Sequence, residues 1–408
     1  MRCRADSPAA GTSGLRTRFE VGAIARRHGP EIADRLSRQQ RRVMAALAAC
    51  RTATLGGHLD RCGACGFERP SYNSCRDRHC PKCQALAQHR WLEARRARLL
   101  PVHYFHVVFT LPAALRDLVR WNRPALLALL FRAATAALLE LGRDPKHLGA
   151  ELGVTAVLHT WSRDLSWHPH LHCVVTGGGL TEAGWRSTRP SFLLPVRVLG
   201  RLFRGKFLAG VARLRDEGAL RRPAGSAARD DPTSSAALSR LYARDWVVYA
   251  KPPFGGAEAV FRYLGRYTHR IGLSNHRLLS VDDVRVVFRT RGDRRAELPP
   301  STFLERFLLH VLPPGFVRIR HYGLLASANV HTKLEQARAA LTSPDPSPAE
   351  SEATAAASTE SDEVVDDDLD AQLVELVRRL AGVDLLACPR CHECAMELRA
   401  DGLPRGPP

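Results

Sequence analysis

The stretch HPHLHCVV, residues 168–175, places three histidines at every second position, and this period constrains the fold of the chain strongly. Side chains of a β-strand alternate between its two faces, so His168, His170 and His172 are expected to point the same way. On a helix, side chains two residues apart diverge by about 200° and cannot converge. The residues after the histidines favour a strand, which TGGG (176–179) is expected to end.

Neutral imidazole is the commonest metal ligand in proteins, so the histidine row predicts a divalent-metal site on one face of a sheet. The alternative is a polar strand face with incidental histidines. The short polar link at 162–166 predicts a hairpin with the strand at 153–161, which would make His159 a cross-strand neighbour. Further strands are predicted at 102–112, 246–254 and 284–290, and helices at 31–49, 85–100, 113–141, 203–220 and 256–272.

The charge of the chain is unevenly distributed. Residues 341–408 hold 15 acidic and 5 basic residues, which leaves 55 basic and 26 acidic residues in 1–340, a net charge of +29. So strong a positive charge in residues 1–340 predicts a polyanionic partner, most of all nucleic acid, although an arginine-rich composition alone also gives a basic chain.

No apolar run reaches the ~18 residues of a membrane span, and the N-terminus lacks an apolar signal core. We therefore expect no membrane partner and a cytoplasmic location.

The eleven cysteines fall in clusters. In a chain without a secretory signal, clustering favours metal binding over disulfides. CGAC and CPKC each bring two thiolates together, and their spacing predicts one four-sulfur zinc site made by Cys62, Cys65, Cys80 and Cys83.

Other residues of the cysteine-rich region leave a second or alternative zinc site open. They are Cys75, His58 and His79. Arg76 and Arg78 lie within this region, and their side chains are expected to face the phosphates of a nucleic acid. The C-terminal CPRCHEC (388–394) offers three sulfurs and an imidazole, but no second half of a site is visible in the sequence.

A third pattern, FRYLGRYTHR at 261–270, places Tyr263 and Tyr267 on one face of a predicted helix. The surrounding arginines are Arg262, Arg266 and Arg270. Two such tyrosines can be an aromatic stripe of the core, but so many cations argue against burial. A tyrosine hydroxyl, with a pKa of about 10, needs help from a metal or a base to act as a nucleophile. The two patterns together indicate metal-assisted attack of a tyrosyl oxygen on a phosphate.

The segments GGHLDRCGACG, SCRDRHCPKCQ, FTLP, LHTW, HPHLHCVVTGGG, YLGRYTHRIGLSNHR and RIRHYG follow one another between about residues 40 and 335. This combination resembles the two-tyrosine rolling-circle insertion-sequence transposases of the HUH superfamily that carry an N-terminal zinc-binding domain. The resemblance implies an α+β fold in which a zinc-binding module precedes an HUH nuclease core, an antiparallel sheet flanked by helices.

The resemblance also implies the chemistry. His170 and His172 would hold Mg²⁺ or Mn²⁺, with His168 or His159 as a third ligand, and structural Zn²⁺ would sit in the cysteine module. An all-imidazole site suits zinc or manganese at least as well as magnesium. Tyr263 and Tyr267 match the family's catalytic tyrosines, which nick single-stranded DNA at element ends, form 5′-phosphotyrosine intermediates and rejoin strands. Host replication proteins are further partners on this interpretation.

The predicted domains are a basic helical N-terminus (1–48), a zinc-binding domain (49–95), the HUH domain (100–340), a disordered acidic linker (341–371) and a C-terminal helix with the cysteine-rich tail (372–408). Two other functions stay open at this point. One is a plasmid rolling-circle replication initiator or relaxase, which uses the same chemistry. The other is a zinc-containing DNA-binding protein without catalysis.

Overall fold

A computed structural model describes residues 18–96, 98–221, 231–251, 272–342, 384–393 and 395–406, together with Ala259, Gly265, Val374, Glu375, Val377 and Arg378. Its helices are α1 (Val21–His28), α2 (Arg38–Ala49), α3 (Ala85–Arg96), α4 (Arg116–Trp121), α5 (Arg123–Arg143), α6 (Val196–Asp216), α7 (Ser235–Tyr242), α8 (Pro300–Leu308) and α9 (Lys333–Thr342). Its strands are β1 (Gly57–Cys62), β2 (Glu68–Tyr72), β3 (Tyr104–Thr110), β4 (Glu151–Trp161), β5 (Trp167–Thr181), β6 (Gly184–Ser187), β7 (Val248–Lys251), β8 (Leu278–Val281), β9 (Val286–Arg289), β10 (Arg295–Leu298), β11 (Ile319–Gly323) and β12 (Met396–Leu403).

The histidine strand β5 lies inside a six-stranded antiparallel sheet. The strand order is β11-β4-β5-β3-β7, and β6 pairs with the far end of β5. The predicted hairpin of β4 and β5 is confirmed, with His159 opposite His170. Pro169, which cannot donate to a ladder, falls where the register of this pair shifts.

One end of β5 differs from the prediction. The glycines of TGGG (176–179) were expected to end the strand, whereas β5 continues to Thr181. These glycines stay in the sheet because β6 pairs beside them and neighbouring groups approach their Cα atoms closely. A Cβ on Gly179, for example, would lie 2.6 Å from the carbonyl oxygen of Glu151.

The two faces of the large sheet have different partners. Leu171, Cys173 and Val175 of β5 point into the main apolar core, which they share with α5 and α6. Of the described helices, α5 is the one long and apolar enough to cross a membrane, and 67% of its apolar stretch is buried inside the protein. Burial against the sheet gives this apolar sequence a role in the core.

The other face carries the histidines and is partly covered by α3. Trp91 and Leu92 of α3 pack against a small cluster that includes Val157 and Val174 of the sheet. Arg95, one turn further on, donates from Nη1 to Nε2 of His321 on β11 at 2.8 Å. Helix α3, which leaves the cysteine-rich region, is thereby fixed across the histidine face.

A second apolar core joins the N-terminal helices to the rest of the chain. Here α1 and α2 pack with α8 and the small sheet β10-β9-β8. Trp161, at the end of β4, and Cys80 of the cysteine module are buried in the same core. The helical N-terminus and the module are therefore built onto the large sheet next to its histidine end.

The C-terminal segment returns to the N-terminal part of the chain. Strand β12 pairs antiparallel with β1, with Met396 opposite Cys62, so that β12, β1 and β2 form a third sheet. The predicted acidic linker (341–371) overlaps α9, which continues to Thr342; residues 343–371 lie outside the described residues, as does the greater part of the predicted helix at 256–272.

Candidate active site and metal centres

Three histidines converge at the end of the β4–β5 hairpin. The potential ligand atoms of His159, His170 and His172 all lie within 4.8 Å of one another. His159 reaches the group from β4 because the hairpin register sets it opposite His170, and the ring centroids of His159 and His172 are 4.2 Å apart. Of the two third ligands that the sequence left open, the structure brings His159 to the pair.

His168 lies on the same face but outside this group. Its Nδ1 accepts a hydrogen bond from Arg116 Nη2 at 3.0 Å. Its ring centroid is 5.0 Å from that of His170. In this structure His168 contacts α4 and does not join the other three imidazoles.

Hydrogen bonds set which ring nitrogens face the centre of the group. His170 Nδ1–H donates to the carbonyl oxygen of His168 at 2.6 Å, which leaves Nε2 with a lone pair. His172 Nδ1 lies 2.7 Å from Nε2 of His106 on β3. If His172 donates in this pair, its Nε2 also carries a lone pair, and His106 orients it as outer partners commonly orient metal-binding histidines.

Burial keeps these imidazoles uncharged. It lowers the pKa of His170 to about 4 and the pKa values of His159 and His172 well below their ordinary range, with smaller contributions from neighbouring histidines. The neutral form, which binds cations, therefore dominates at pH 7. His159 and His172 are buried and His170 is half-buried, so solvent and ligands reach the group from the side of His170.

An aromatic ring, Trp161, packs against the histidine group, and the buried guanidinium of Arg318 packs against that ring. Trp161 stacks on His159 with ring centroids 4.6 Å apart, and the guanidinium of Arg318 lies 4.7 Å from the Trp161 ring. Arg318 Nε donates to the carbonyl of Leu158 at 3.3 Å. Burial, with a smaller effect of Arg78, lowers the Arg318 pKa to about 9, so the group is charged at pH 7. Its charge favours an anion near the histidines and disfavours their protonation.

The predicted nucleophiles Tyr263 and Tyr267, with Arg262, Arg266 and Arg270, lie outside the described residues. Two described glycines belong to this part of the chain, Gly265 between the two tyrosines and Gly272 after Arg270. Gly265, which is helical and buried, lies against Leu92 of α3, so that a Cβ there would be 3.0 Å from Leu92 Cδ2. Gly272 lies against Trp161, where a Cβ would be 1.7 Å from the indole nitrogen. Both contacts are with residues that border the histidine face.

Eight of the nine described cysteines form two clusters, which corrects the predicted site of Cys62, Cys65, Cys80 and Cys83. The first cluster consists of Cys50, Cys75, Cys80 and Cys83. Cys75 and Cys83 lie 3.7 Å apart at Sγ, and Cys80 and Cys50 lie 3.5 Å apart. The knuckle at 80–83 thus pairs with two isolated cysteines, because helix α2 and the loop before the knuckle bring them there.

The second cluster joins the other knuckle to the C-terminal tail. Cys62 and Cys65 meet Cys388 and Cys391, and the four sulfurs lie within 4.8 Å of one another. The missing half of CPRCHEC is therefore CGAC, about 320 residues earlier in the chain. The two knuckles of the predicted single site belong to different apolar clusters and do not share a centre.

Arg76 and Arg78, predicted to face phosphates, differ in their surroundings. Arg76 is exposed. Arg78 is half-buried, and its Nη1 donates to the carbonyl of Phe316 at 3.0 Å, which attaches the cysteine module to the large-sheet domain. Exposure makes Arg76 the better candidate for a phosphate contact.

A zinc-cysteine module built onto an antiparallel sheet with converging histidines is the architecture expected of an insertion-sequence transposase. Residues 153–333 match the family described as "Putative transposase", and residues 24–111 match "Transposase zinc-binding domain".

Two curated relatives agree with these matches. "Putative transposase y4qJ" of Sinorhizobium fredii (strain NBRC 101917 / NGR234) is 45% identical over 393 residues, 91% of this chain and 95% of the relative. "Transposase for insertion sequence element IS801" of Pseudomonas savastanoi pv. phaseolicola is 29% identical over 319 residues, 74% of this chain and 73% of the relative. No solved structure matches the chain significantly. The chain belongs to the IS91 family of rolling-circle insertion-sequence transposases.

Proposed function

We propose that this transposase nicks and rejoins single-stranded DNA at the ends of its element through a tyrosine nucleophile. His159, His170 and His172 would hold the catalytic cation, and Tyr263 and Tyr267 would attack the scissile phosphate to give 5′-phosphotyrosine links. The observation that carries the proposal is the convergence of three neutral imidazoles within 4.8 Å of one another.

The donor set fits a divalent cation. Hydrogen bonding fixes His170 with its Nε2 lone pair available, and His106 supports the same orientation of His172. A bound Mn²⁺, Mg²⁺ or Zn²⁺ would polarise the phosphate, and nitrogen-only ligation suits manganese or zinc at least as well as magnesium. The protein itself contributes the preoriented ligands, and the positive charge of Arg318 would favour the anionic phosphate.

The position of Gly265 and Gly272 supports the role of the tyrosines. Gly265 lies between Tyr263 and Tyr267 in sequence and contacts Leu92, which packs on the histidine face. Gly272 follows the segment and contacts Trp161, which stacks on His159. Both glycines thus contact residues that border the histidine group.

The reaction would need no nucleotide cofactor. In each cleavage step a tyrosyl oxygen forms a bond to phosphorus while the bond to the 3′ oxygen breaks, and the tyrosine proton passes to the leaving 3′ oxygen. In rejoining, a 3′ hydroxyl attacks the phosphotyrosine, the bond to the tyrosyl oxygen breaks, and the proton returns to the tyrosine. One phosphodiester replaces another of similar stability. The sequence predicts the two tyrosines on one helical face, so that one could keep the cut donor end while the other attacks a second phosphate.

The charge distribution supports binding of single-stranded DNA by residues 1–340, which carry a net +29. Arg76 is exposed for phosphate contacts, and Arg262, Arg266 and Arg270 surround the tyrosines in sequence. Aromatic residues among these arginines would stack on unpaired bases. We place this activity in the cytoplasm, with host replication proteins supplying the displaced strand.

A cleavage assay tests the proposal. The purified full chain is incubated with labelled single-stranded oligonucleotides spanning the element's ends and Mn²⁺, and denaturing gels reveal covalent adducts. At least one of the single Tyr→Phe variants should still form an adduct through the remaining tyrosine, whereas the double variant and His170→Ala should form none. The matched control is Tyr322→Phe, a tyrosine on β11. Adducts formed by the double variant at the wild-type level would refute the proposal.

A further inference from the structure

The C-terminal tail carries half of a metal site that the sequence did not reveal. We propose that Cys62, Cys65, Cys388 and Cys391 bind a second zinc ion, separate from that of the first cysteine cluster. This ion fastens β12 to the zinc-binding module. Two of its ligands lie outside both matched family regions, 24–111 and 153–333.

The sulfur positions have the geometry of a tetrahedral zinc centre. Cys62 and Cys391 lie 3.7 Å apart at Sγ, as do Cys65 and Cys388. With a Zn–S bond of about 2.3 Å, the edge of a regular tetrahedron of sulfurs is about 3.8 Å. A disulfide would bring two sulfurs to about 2.05 Å, so these pairs are not disulfide-bonded.

The two halves of the site have the same backbone structure. In each, the amide of the first cysteine, Cys62 or Cys388, donates to the carbonyl five residues later, at 2.9 and 2.8 Å. In each, the amide four residues later, of Gly66 or His392, donates back to that first cysteine's carbonyl at 2.9 Å. The residue four positions after the first cysteine has a positive φ in both halves, +69° for Gly66 and +61° for His392.

The left-handed backbone conformation of His392 is informative. For a non-glycine residue this conformation costs ~1 kcal/mol, and it persists only where the surrounding structure holds it. The His392 side chain is exposed and stays outside the sulfur group. Its backbone thus completes the turn around the sulfurs, although the sequence offered its imidazole as a ligand.

A second feature repeats between the proposed site and the first cluster. Arg390 N–H points to Cys388 Sγ, and Lys82 N–H points to Cys80 Sγ, both at 3.4 Å. These amides belong to CPRC and CPKC, which differ in one basic residue. An amide directed at sulfur stabilises a thiolate, the form that binds metal. The C-terminal knuckle is therefore built like a knuckle of the zinc-binding module.

Few apolar contacts surround the sulfurs, although β12 also pairs with β1. The apolar cluster contains three buried residues, Cys62, Cys388 and Met396, with four partly buried neighbours. At the base of the site, Arg69 links buried Asp60 (3.1 Å) to the carbonyl of Leu385 (3.0 Å). In a module this small, metal binding supplies much of the free energy of folding.

Counting zinc by native mass spectrometry tests the proposal. The parent protein carries His170→Ala and His172→Ala, so that only cysteine sites are counted, and it should hold two zinc ions per chain. Cys388→Ser/Cys391→Ser and Cys62→Ser/Cys65→Ser should each hold one ion. Because all four residues share one ion, the quadruple variant should also hold one. Adding Cys80→Ser/Cys83→Ser to the tail variant should leave none.

Two control variants sharpen this count. Cys173→Ala removes a buried core cysteine that belongs to neither cluster and should keep both ions. His392→Gly should keep both ions too, because glycine adopts the same turn. A Cys388→Ser/Cys391→Ser protein that still holds two zinc ions would overturn the proposal, as would loss of both ions from Cys62→Ser/Cys65→Ser with no loss from the tail variant.

A measurement on the unsubstituted chain avoids any failure of a variant to fold. N-ethylmaleimide labelling is mapped by peptide mass spectrometry while a chelator is added in steps. Cys62, Cys65, Cys388 and Cys391 should be protected together and become reactive in the same step. Rapid labelling of Cys388 and Cys391 in the zinc-loaded protein, with the other two protected, would contradict a shared ion.

Discussion

His159 and His170 lie directly opposite each other on adjacent antiparallel strands, with their rings edge to face and their centroids 5.4 Å apart. The third imidazole, His172, is two residues along the same strand and points the same way. The register of one hairpin therefore assembles the whole group. A register change of one residue would turn the β5 histidines to the opposite face, so the site depends on the hairpin's packing.

The first prediction concerns the ligand set. His159→Ala and His170→Ala should each weaken Mn²⁺ binding more than tenfold, because each removes one of three converging nitrogens. His168→Ala, the same change on the same face but outside the group, should leave affinity within about twofold. Isothermal titration calorimetry measures all three. Equal losses for His168→Ala and His159→Ala would show that the third ligand is assigned wrongly.

The second prediction concerns His106, whose Nε2 lies 2.7 Å from Nδ1 of His172. His106→Phe keeps an aromatic ring on β3 but removes this partner. Loss of an outer partner of a metal ligand typically costs ~10–100-fold in affinity. DNA cleavage by the variant should recover at high Mn²⁺, which separates a positioning role from a direct one. Cleavage that stays absent at saturating metal would contradict the positioning role.

The third prediction concerns the close approach of Gly272 to Trp161. Gly272→Ala would place a methyl group 1.7 Å from the indole nitrogen, so Trp161 must leave its stacked position on His159. Thermal stability should fall and metal affinity with it. Gly205→Ala is the matched control, since its Cβ meets nothing within 4 Å and alanine is favoured in a helix by ~1 kcal/mol. A Gly272→Ala protein as stable as the control would refute the close contact.

The fourth prediction concerns acid sensitivity. His310 is buried, its Nε2–H donates to the carbonyl of Leu165 at 3.0 Å, and burial lowers its pKa to about 3. Below pH ~6.5 the unfolded chain binds a proton at His310 that the folded chain excludes, so the free energy of unfolding falls as pH falls towards 3. The largest slope is about 1.4 kcal/mol per pH unit.

His310→Gln should remove this contribution. Urea unfolding between pH 7 and 4.5 should show a shallower decline for the variant, although its stability at pH 7 is lower because the histidine's hydrogen bonds are disturbed. His331→Gln is the control, since that side chain is 88% exposed and its surroundings change little on unfolding. Parallel curves for wild type and His310→Gln would show that His310 accepts a proton in the folded protein.

The sequence predicted that the β5 histidines share one face of the sheet, because the alternation of side chains along a strand depends only on neighbouring residues. The alternation at 168–172 predicts the shared face, and the five-residue link predicts the hairpin with β4. The register shift between His159 and Trp161, which sets His159 opposite His170, is not visible in the sequence. The same reasoning failed at TGGG, since glycine acts there as a site of close strand approach. His106 was missed because nothing in the sequence fixes the register of β3 against β5.

The cysteine pairing could not be predicted for a similar reason. Spacing favoured joining the two knuckles nearest in sequence, at 62–65 and 80–83. The observed partners are isolated (Cys50 and Cys75) or separated by more than 300 residues (Cys388 and Cys391). Only the packing of α2 and the return of β12 bring them together. Arg318 was overlooked for the same reason, because its position behind Trp161 depends on the pairing of β11 with β4.

The most direct test of the central claim is to identify the residue that becomes joined to DNA. The full chain is trapped with a single-stranded end oligonucleotide and Mn²⁺, digested with nuclease and protease, and sequenced by mass spectrometry. The account predicts a nucleotide linked through its 5′ phosphate to Tyr263 or Tyr267, and no adduct in the double Tyr→Phe variant. Attachment at any other residue, or cleavage without a covalent intermediate, would contradict it.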